Sequence, residues 1–436
     1  MQRPMHRATK PTRRSNPTLK SPVPKKSAKK TAPKAPLPPA PDRAALALED
    51  GTVLYGRSCG APGEASGELV FNTSMTGYQE ILTDPSYKGQ LVLMTYPHIG
   101  NTGITETDNE SDKPRLSGLV VRELCRKPSN WESVESLDSW LRRQEIPAIE
   151  GLDTRSLTLR LREKGALRCI LSTTDLDPAS LVRRAREVPS LVGLDLAKTV
   201  TCAERYDWKE PLADAVPGWP LKFPFPPQVV VLDFGVKRGI LRSLVSLGCR
   251  VTVLPAQTSL DVILSLRPDG VLLSNGPGDP EPAAYAVEAA KRLLEDGIPL
   301  FGICLGHQIL ALALGGRTYK LKFGHHGANH PVQEIATGRI AVTTQNHGFC
   351  VDRGSLPPEI ETTHVNLNDR TCEGLRHTQR PAFSVQYHPE AAAGPHDSRD
   401  LFTRFGLLIQ DRLSVFSHPG RSRPSGSARS KGVMPV

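Results

Sequence analysis

Residues 298–316 read IPLFGICLGHQILALALGG and combine the signals of a strand, a sharp turn and a helix. The apolar run before Cys304 is typical of a buried strand, and the apolar run after it, closed by two glycines, is typical of a helix. A cysteine taken alone is more often a small buried hydrophobe. Here Gly302 and Gly306 flank it and leave room for a tight turn. The stretch therefore predicts a nucleophile elbow, with the sulfur at a helix N-terminus where negative charge is favoured.

Short strands and helices alternate upstream of the elbow as well. The apolar runs predict strands at 229–233, 250–254, 270–274 and 298–303, and helices at 239–247, 261–266 and 283–295. Such alternation predicts a parallel sheet with helices on both faces. In sheets of this kind, functional residues gather at the carboxyl ends of the strands.

A different pattern precedes this domain. It predicts short strands within 45–55, at 68–72 and at 91–95, and helices at 133–143 and 154–164. Residues 207–227 contain six prolines, which predict an interdomain linker. We therefore expect an α/β protein, with an N-terminal mixed α/β domain over 44–206. A mostly parallel-sheet domain with helices on both faces should follow over 228–414.

The basic character of the chain lies in its ends. Residues 1–43 carry a charge of +11 and residues 417–436 carry +4, within a total of +10, so the remainder is acidic. We expect 1–43 and 415–436 to be disordered, because they are rich in Lys, Pro and Ser and poor in aromatic residues. Two alternatives for 1–43 are an organelle-targeting peptide and a nucleic-acid-binding or scaffold segment. The lack of an aromatic residue to stack on bases argues against nucleic-acid binding.

The cysteines and the hydropathy of the chain indicate the cellular compartment that we expect. The eight cysteines are scattered and form no C-x-x-C pair, which favours a reducing compartment without a disulfide framework. No apolar run is long enough to span a bilayer, so we expect no membrane partner. We therefore expect a cytoplasmic protein, or a plastid or mitochondrial one if residues 1–43 are a transit peptide.

Two further motifs complement the cysteine. His388 and Glu390 follow a strand-like run at 382–386, and side chains two apart on a strand face the same side. A thiolate nucleophile needs a base, and the base needs an orienting group. Residues 274–280 read SNGPGDP, a rigid turn whose backbone N–H groups can point into a site.

In chain order, the SNGPGDP loop, the elbow and the HPE triplet (388–390) resemble the class I (triad) glutamine amidotransferases over 228–412. Several stretches resemble the small-subunit family of carbamoyl-phosphate synthetases in particular. These stretches are VFNTSMTGYQEILTDPSY (70–87), TYPHIGN (95–101), GLDTR (151–155), FGHHGANHPV (323–332) and TTQNHGF (343–349). Two departures, Ala328 for a usual glycine and Ala392-Ala393 for a common Ser-Pro, lie outside the inferred chemistry.

The resemblance implies that Cys304 is the nucleophile, His388 the base and Glu390 the residue that orients His388. It also implies an oxyanion hole made by the backbone amides of Gly276 and Leu305. The residues that it implies for binding L-glutamine are Ser86, Gly276, Gly278, Leu305, Gln308, Asn346, Gly348 and Phe349.

By the same resemblance, this chain hydrolyses glutamine and passes ammonia to a separate large subunit. That partner would make carbamoyl phosphate from bicarbonate, ammonia and two ATP, for arginine and pyrimidine biosynthesis. The resemblance also implies no cofactor on this chain, with ATP and Mg²⁺ on the large subunit, and the absence of a G-x-x-x-x-G-K-[ST] loop from this sequence agrees with that expectation. An inactive relative kept for assembly is the alternative, and the intact Cys304, His388 and Glu390 argue against it.

A histidine-rich stretch raises the question of a metal site. His325, His326 and His330 have the spacing H-H-x-x-x-H, which is not a common zinc-ligand spacing. We interpret them as hydrogen-bonding histidines of a polar loop and expect no metal.

Overall fold

The first domain is built on a closed β-barrel. The computed structural model describes residues 42–416; the predictions made for 1–41 and 417–436 lie outside the described residues. The barrel strands are β1 (Arg43–Leu48), β2 (Val53–Gly60), β3 (Glu64–Asn72), β4 (Gln90–Met94), β6 (Gly118–Val120), β8 (Pro147–Glu150) and β9 (Leu167–Ser172). They close in the order β1-β2-β8-β6-β4-β3-β9. The short strands β5 (His98–Ile99) and β7 (Glu123–Leu124) form a separate pair.

Helices and a 3₁₀ turn connect these strands. They are α1 (Tyr78–Thr83), the turn Pro85–Tyr87, α2 (Leu137–Arg143), α3 (Thr154–Lys164), α4 (Pro178–Glu187) and α5 (Ala197–Val200). The bounds of α3 are those predicted, because Asp153 caps its start by accepting a hydrogen bond from the Ser156 N–H and Gly165 ends it. Helix α2 begins four residues later than predicted, at the residue after its cap, Ser136.

The second domain follows the predicted alternation. Its elements are β11 (Gln228–Asp233), α6 (Arg238–Ser246), β12 (Arg250–Pro255), α7 (Leu260–Ser265), β13 (Gly270–Leu273), α8 (Ala284–Glu295), β14 (Leu300–Ile303) and α9 (Leu305–Ala313). The elements that complete it are β15 (Thr318–Glu334), β16 (Ile340–Val351), the 3₁₀ turn Arg353–Ser355, β17 (Ile360–Asn366), β18 (Cys372–His377), β19 (Ala382–Val385) and α10 (Asp400–Phe416).

These strands form one ten-stranded sheet. Its order is β10-β12-β11-β13-β14-β19-β18-β17-β15-β16, where β10 is Tyr206–Trp208. The five strands from β12 to β19 are parallel, as predicted, and the strands beyond β19 are antiparallel, which was not predicted. Strand β10 pairs with β12, so the start of the segment predicted as a linker belongs to the sheet.

Helices cover both faces of the parallel strands. One core cluster contains Ile263 of α7, Leu293 of α8 and Ile309 of α9, and the cluster on the opposite face contains Ile240 of α6 and Phe402 of α10. Successive apolar residues of β11 therefore alternate between the two clusters. The predicted α/β class with helices on both faces is confirmed.

The barrel packs against the antiparallel part of the sheet. The ring of Phe71 in β3 packs against that of Phe323 in β15, with ring centroids 5.7 Å apart and ring planes tilted by 34°. The Ala166 N–H donates to the Lys322 carbonyl at 2.9 Å, and the Thr73 N–H donates to the His326 carbonyl at 3.2 Å. This contact brings the loop after α1 against the carboxyl ends of the parallel strands.

Within residues 42–416, none of the helices has both the length and the apolar character that crossing a bilayer requires.

Candidate active site

Cys304 occupies the predicted turn between β14 and α9. Its backbone has φ 54° and ψ −104°, a strained conformation for a residue with a side chain. A Cβ added at Gly302 would lie 2.5 Å from the Gly306 carbonyl oxygen, and one added at Gly306 would lie 2.0 Å from that of Leu273. Because real Cβ contacts are longer, the turn requires both glycines. The strain and the two glycines together form the predicted elbow.

His388 and Glu390 lie three and five residues after the end of β19, the strand that neighbours β14. The His388 N–H donates to the Thr344 carbonyl at 2.9 Å, which fixes the backbone, and Nδ1 lies 2.7 Å from Glu390 Oε1. Burial, the largest effect, opposes charge on the imidazole. Glu390 and the neighbouring Cys304 thiol outweigh burial and raise the pKa of His388 to about 10. The structure therefore brings the three predicted residues together.

A buried lysine completes this arrangement. Lys237 Nζ lies 3.0 Å from Glu390 Oε1 and donates to the Ala391 carbonyl at 2.8 Å. Oε1 therefore binds both Lys237 and His388, while Oε2 makes no hydrogen bond within the part of the chain that the structure describes. Burial raises the pKa of Glu390, but Lys237 and His388 together lower it to about 2. Sequence reasoning missed Lys237, although a lysine four residues after a buried strand was a usable signal.

The predicted substrate residues surround one pocket beside Cys304. Its lining includes Ser86, Gly276, Gly278, Gln308, Asn346, Gly348 and Phe349. Leu305 does not line the pocket, and its predicted role uses only its backbone amide, which, as the first of α9, has no helix carbonyl to bind. A Cβ at Gly276 would lie 2.2 Å from the Phe234 carbonyl oxygen, so the loop approaches β11 as only glycine allows.

The first domain contributes directly to this pocket. Asn275 Nδ2 donates to Ser86 Oγ at 3.0 Å, and Asn346 Nδ2 donates to Asp84 Oδ2 at 2.8 Å. The other carboxylate oxygen of Asp84 accepts from the Ser86 N–H at 2.9 Å. Asp84 thus orients two predicted substrate residues, one in each domain. It lies within the quoted stretch 70–87, but nothing in its local sequence indicates this role.

Further polar residues line the same pocket. Glu68 of the first domain forms an ion pair with Lys320 of β15, and Gln90 lies beside them. Gln308 Nε2 donates to the Phe349 carbonyl at 2.9 Å and to Gln386 Oε1 at 3.0 Å. These contacts hold the α9 side of the pocket against β16.

The histidine-rich stretch lies in β15, beside the pocket. His326 Nδ1 pairs with Asn346 Oδ1 at 3.0 Å. Single ligand atoms of His325, His347 and Glu373 lie within 4.8 Å of one another, a spacing that a metal ion could bridge. Both ring nitrogens of His347 are hydrogen-bonded, and Glu373 accepts from Asn366 and Gln345. We therefore interpret this cluster as a hydrogen-bond network.

The charge state of this network follows from its carboxylates. Burial opposes charge on His325, but the carboxylates of Asp369 and Glu373 beside its two ring nitrogens raise its pKa to about 9. His325 Nε2 lies 2.7 Å from Asp369 Oδ2. A protonated His325 thus neutralises part of the buried negative charge behind the pocket.

Comparisons with known proteins agree with this geometry. The family model described as glutamine amidotransferase class-I matches residues 230–407, and the model of the carbamoyl-phosphate synthase small chain, CPSase domain, matches residues 46–171. The carbamoyl phosphate synthase small chain of Syntrophotalea carbinolica is 57% identical over 369 residues, which are 84% of this chain and 98% of that protein. Those of Vibrio parahaemolyticus and Escherichia coli K12 are 54% and 53% identical over 371 residues, which are 84% of this chain and 98% and 97% of those proteins. The chain therefore belongs to the carbamoyl-phosphate synthase small chain family, and its second domain is a class-I glutamine amidotransferase domain.

Proposed function

We propose that this chain is the glutamine-hydrolysing subunit of a carbamoyl-phosphate synthase, with Cys304, His388 and Glu390 as its catalytic residues. One observation supports this most strongly: a strained cysteine at a helix N-terminus lies beside a histidine–glutamate pair and a pocket lined by residues of both domains. An acyl-transfer site needs this combination of nucleophile, base and orienting group.

The first half of the proposed reaction releases ammonia. His388 takes the proton of the Cys304 thiol, and the sulfur attacks the side-chain carbonyl carbon of glutamine. Backbone N–H groups of Gly276 and Leu305 bind the oxyanion that forms. His388 then gives its proton to the amide nitrogen, the C–N bond breaks, and ammonia leaves a glutamyl thioester on Cys304.

The second half restores the enzyme. His388 removes a proton from a water molecule, which attacks the thioester carbon, and the C–S bond breaks. Glutamate leaves, and the thiol of Cys304 is reprotonated. Throughout the cycle Glu390 holds Nδ1 of His388, at 2.7 Å, so that Nε2 is the atom that exchanges protons. The predicted binding residues that line the pocket, from Ser86 to Phe349, hold the substrate.

The expected partner is a carbamoyl-phosphate synthase large subunit, which would bind ATP and Mg²⁺ and receive the ammonia. Co-purification of the full chain with that subunit tests the pairing. We also propose a cytoplasmic location, based on cysteines that are unpaired throughout residues 42–416. Cell fractionation tests this, and an N-terminus cleaved near residue 43 in organelles would favour the transit-peptide alternative.

Cys304→Ala in the complex tests the catalytic assignment. We expect it to abolish glutamine-dependent carbamoyl phosphate formation and to leave the ammonia-dependent reaction intact, because only the nucleophile is lost. Cys125→Ala, at a cysteine in the first domain, is the matched control and should keep both activities. Equal loss of both activities in Cys304→Ala would contradict the proposal.

A further inference from the structure

A loop of the first domain reaches the buried lysine behind the catalytic pair. Glu110 lies on this loop and is almost fully buried. Its backbone carbonyl accepts from the Arg238 N–H at 2.9 Å, and its Oε2 accepts from the Gly239 N–H at 3.1 Å. The same Oε2 lies 3.9 Å from Lys237 Nζ. Glu110 therefore holds the start of α6, a helix whose own N-cap residue, Lys237, makes no side-chain capping bond.

Gly239, which has no side chain, leaves space for two carboxylates beside the first turn of α6. A Cβ on Gly239 would lie 3.1 Å from Glu110 Oε2 and 3.2 Å from Glu390 Cγ. Both carboxylates thus pack against the first turn of α6, one from each domain. Lys237 Nζ, 3.0 Å from Glu390 and 3.9 Å from Glu110, is the cation that they share.

The charge balance of this buried group depends on Glu110. With Glu110 ionised, the two carboxylates and the one ammonium leave one negative charge, which the imidazolium of His388 can neutralise. Without the charge of Glu110, Lys237 would neutralise Glu390, and a protonated His388 would have no counterion. A buried charge without a counterion is strongly disfavoured. Lys237 and His388 also compete for the same oxygen, Oε1 of Glu390, so attraction of Lys237 toward Glu110 favours the His388 contact.

We propose that Glu110 is a positioning residue for the catalytic pair. Its carboxylate attracts Lys237 toward the first domain, so that Glu390 pairs more strongly with His388. The strength of His388 as a base therefore depends on the docking of the two domains. This inference rests on the proposed function of Cys304, His388 and Glu390.

Other charged groups face the same cluster. Glu80 on α1 and Asp84 after it act on Lys237 or Glu110 from the first domain, and Arg242 acts from the next turn of α6. Burial raises the pKa of Glu110, while Lys237 and the Gly239 N–H oppose that rise. None of these groups besides Glu110 both binds the α6 backbone and lies within ion-pair distance of Lys237.

Glu110→Gln in the full-length chain, assayed with its large subunit, tests the proposal. It keeps an oxygen for the Gly239 N–H but loses the charge. We expect kcat for glutamate release to fall by about tenfold to a hundredfold, because a catalytic group is held less well, with little change in KM. The alkaline limb of the pH profile of kcat should move to lower pH, because the imidazolium of His388 loses its proton more easily.

Two companion variants distinguish positioning from stability. Glu110→Asp keeps the charge, so its alkaline limb should stay at the wild-type position even if kcat falls. Glu150→Gln removes another buried carboxylate of the first domain, one that pairs with Arg57 and Arg126 instead of Lys237, and should leave the pH profile unchanged.

The outcomes separate this inference from the proposed function. A wild-type chain that releases no glutamate overturns the proposed function and this inference with it. An active wild type whose pH profile and kcat coincide with those of Glu110→Gln overturns the inference alone. The same alkaline shift in Glu110→Asp or in Glu150→Gln also overturns it, because the charge at position 110 would then not be the cause.

Discussion

Gly306→Ala is the sharpest steric test of the elbow. The added Cβ would lie 2.0 Å from the carbonyl oxygen of Leu273 and 2.6 Å from its carbon, at the end of β13. Neither atom belongs to a flexible side chain, so relief requires a backbone shift of about 1 Å to restore an ordinary contact distance. The Gly306 N–H is itself bound to the Ser274 carbonyl at 3.0 Å, so Gly306 cannot move without breaking that bond or moving its chain neighbours. We therefore expect the shift to displace Cys304 and the amide of Leu305.

The expected cost has two parts. Forcing one carbon into a well-packed turn should lower the free energy of unfolding by about 1–3 kcal/mol. A displacement of about 1 Å at Cys304, the proposed nucleophile, should lower kcat/KM for glutamine hydrolysis by about a hundredfold. The activity should therefore fall much further than the fraction of folded protein, which stays high unless the chain is already marginal.

The assay is glutamate release by the complex, measured beside urea denaturation of the same preparation. Gly354→Ala is the matched control: its Cβ would meet only Asp352 Oδ1 at 3.4 Å, an ordinary contact, so both quantities should remain at their wild-type values. Wild-type kcat/KM in Gly306→Ala would refute the view that the elbow geometry depends on this glycine.

Three further predictions follow from the buried polar contacts. Lys237→Met leaves the buried carboxylates of Glu110 and Glu390 without the cation that they share and should lower the free energy of unfolding in urea by about 3–5 kcal/mol; a loss below about 1 kcal/mol would count against it. Asp84→Ala releases Asn346, held at 2.8 Å, and should raise KM for glutamine about tenfold, so an unchanged KM would contradict the role of Asp84. The pair of His388, with its pKa raised to about 10 from 6.5, and Glu390, lowered to about 2 from 4.5, stabilises the fold most between pH 4.5 and 6.5. The Glu390 part is lost as pH falls toward 2 and the His388 part as pH rises toward 10. The difference in unfolding free energy between wild type and His388→Asn should follow that window, and a difference that is flat with pH would contradict it.

Local patterns predicted the parallel half of the second domain well. Strand β14 and helices α6 and α8 lie within two residues of their predicted bounds. A continuous apolar run specifies the strand, and apolar residues at helical spacing, followed by Gly248 or Gly297, specify the two helices. The antiparallel strand β15 was not predicted. It carries polar residues facing the pocket and register shifts after Lys320 and after Gly327, so it lacks the alternation by which a strand is found.

The closed barrel could not be predicted from local sequence patterns, for a different reason. Its closure pairs Leu48 of β1 with Cys169 of β9, residues whose separation in sequence no short pattern reports. The residues of the site likewise divide into those that local motifs predict and those that only long-range contacts reveal. The motifs around Cys304 and His388 predicted where the elbow and the histidine lie, whereas Lys237 and Glu110 emerge only from contacts between distant segments.

The pocket shared by the two domains has a consequence for module exchange. Ser86 of the first domain lines the pocket, Asp84 beside it holds Asn346 of the second domain, and the Lys320–Glu68 pair spans the same boundary. Transplanting the second domain alone onto a different synthetase would therefore discard one wall of the cavity. A chimaera that retains the barrel, or supplies equivalents of these side chains, should work where the isolated module does not.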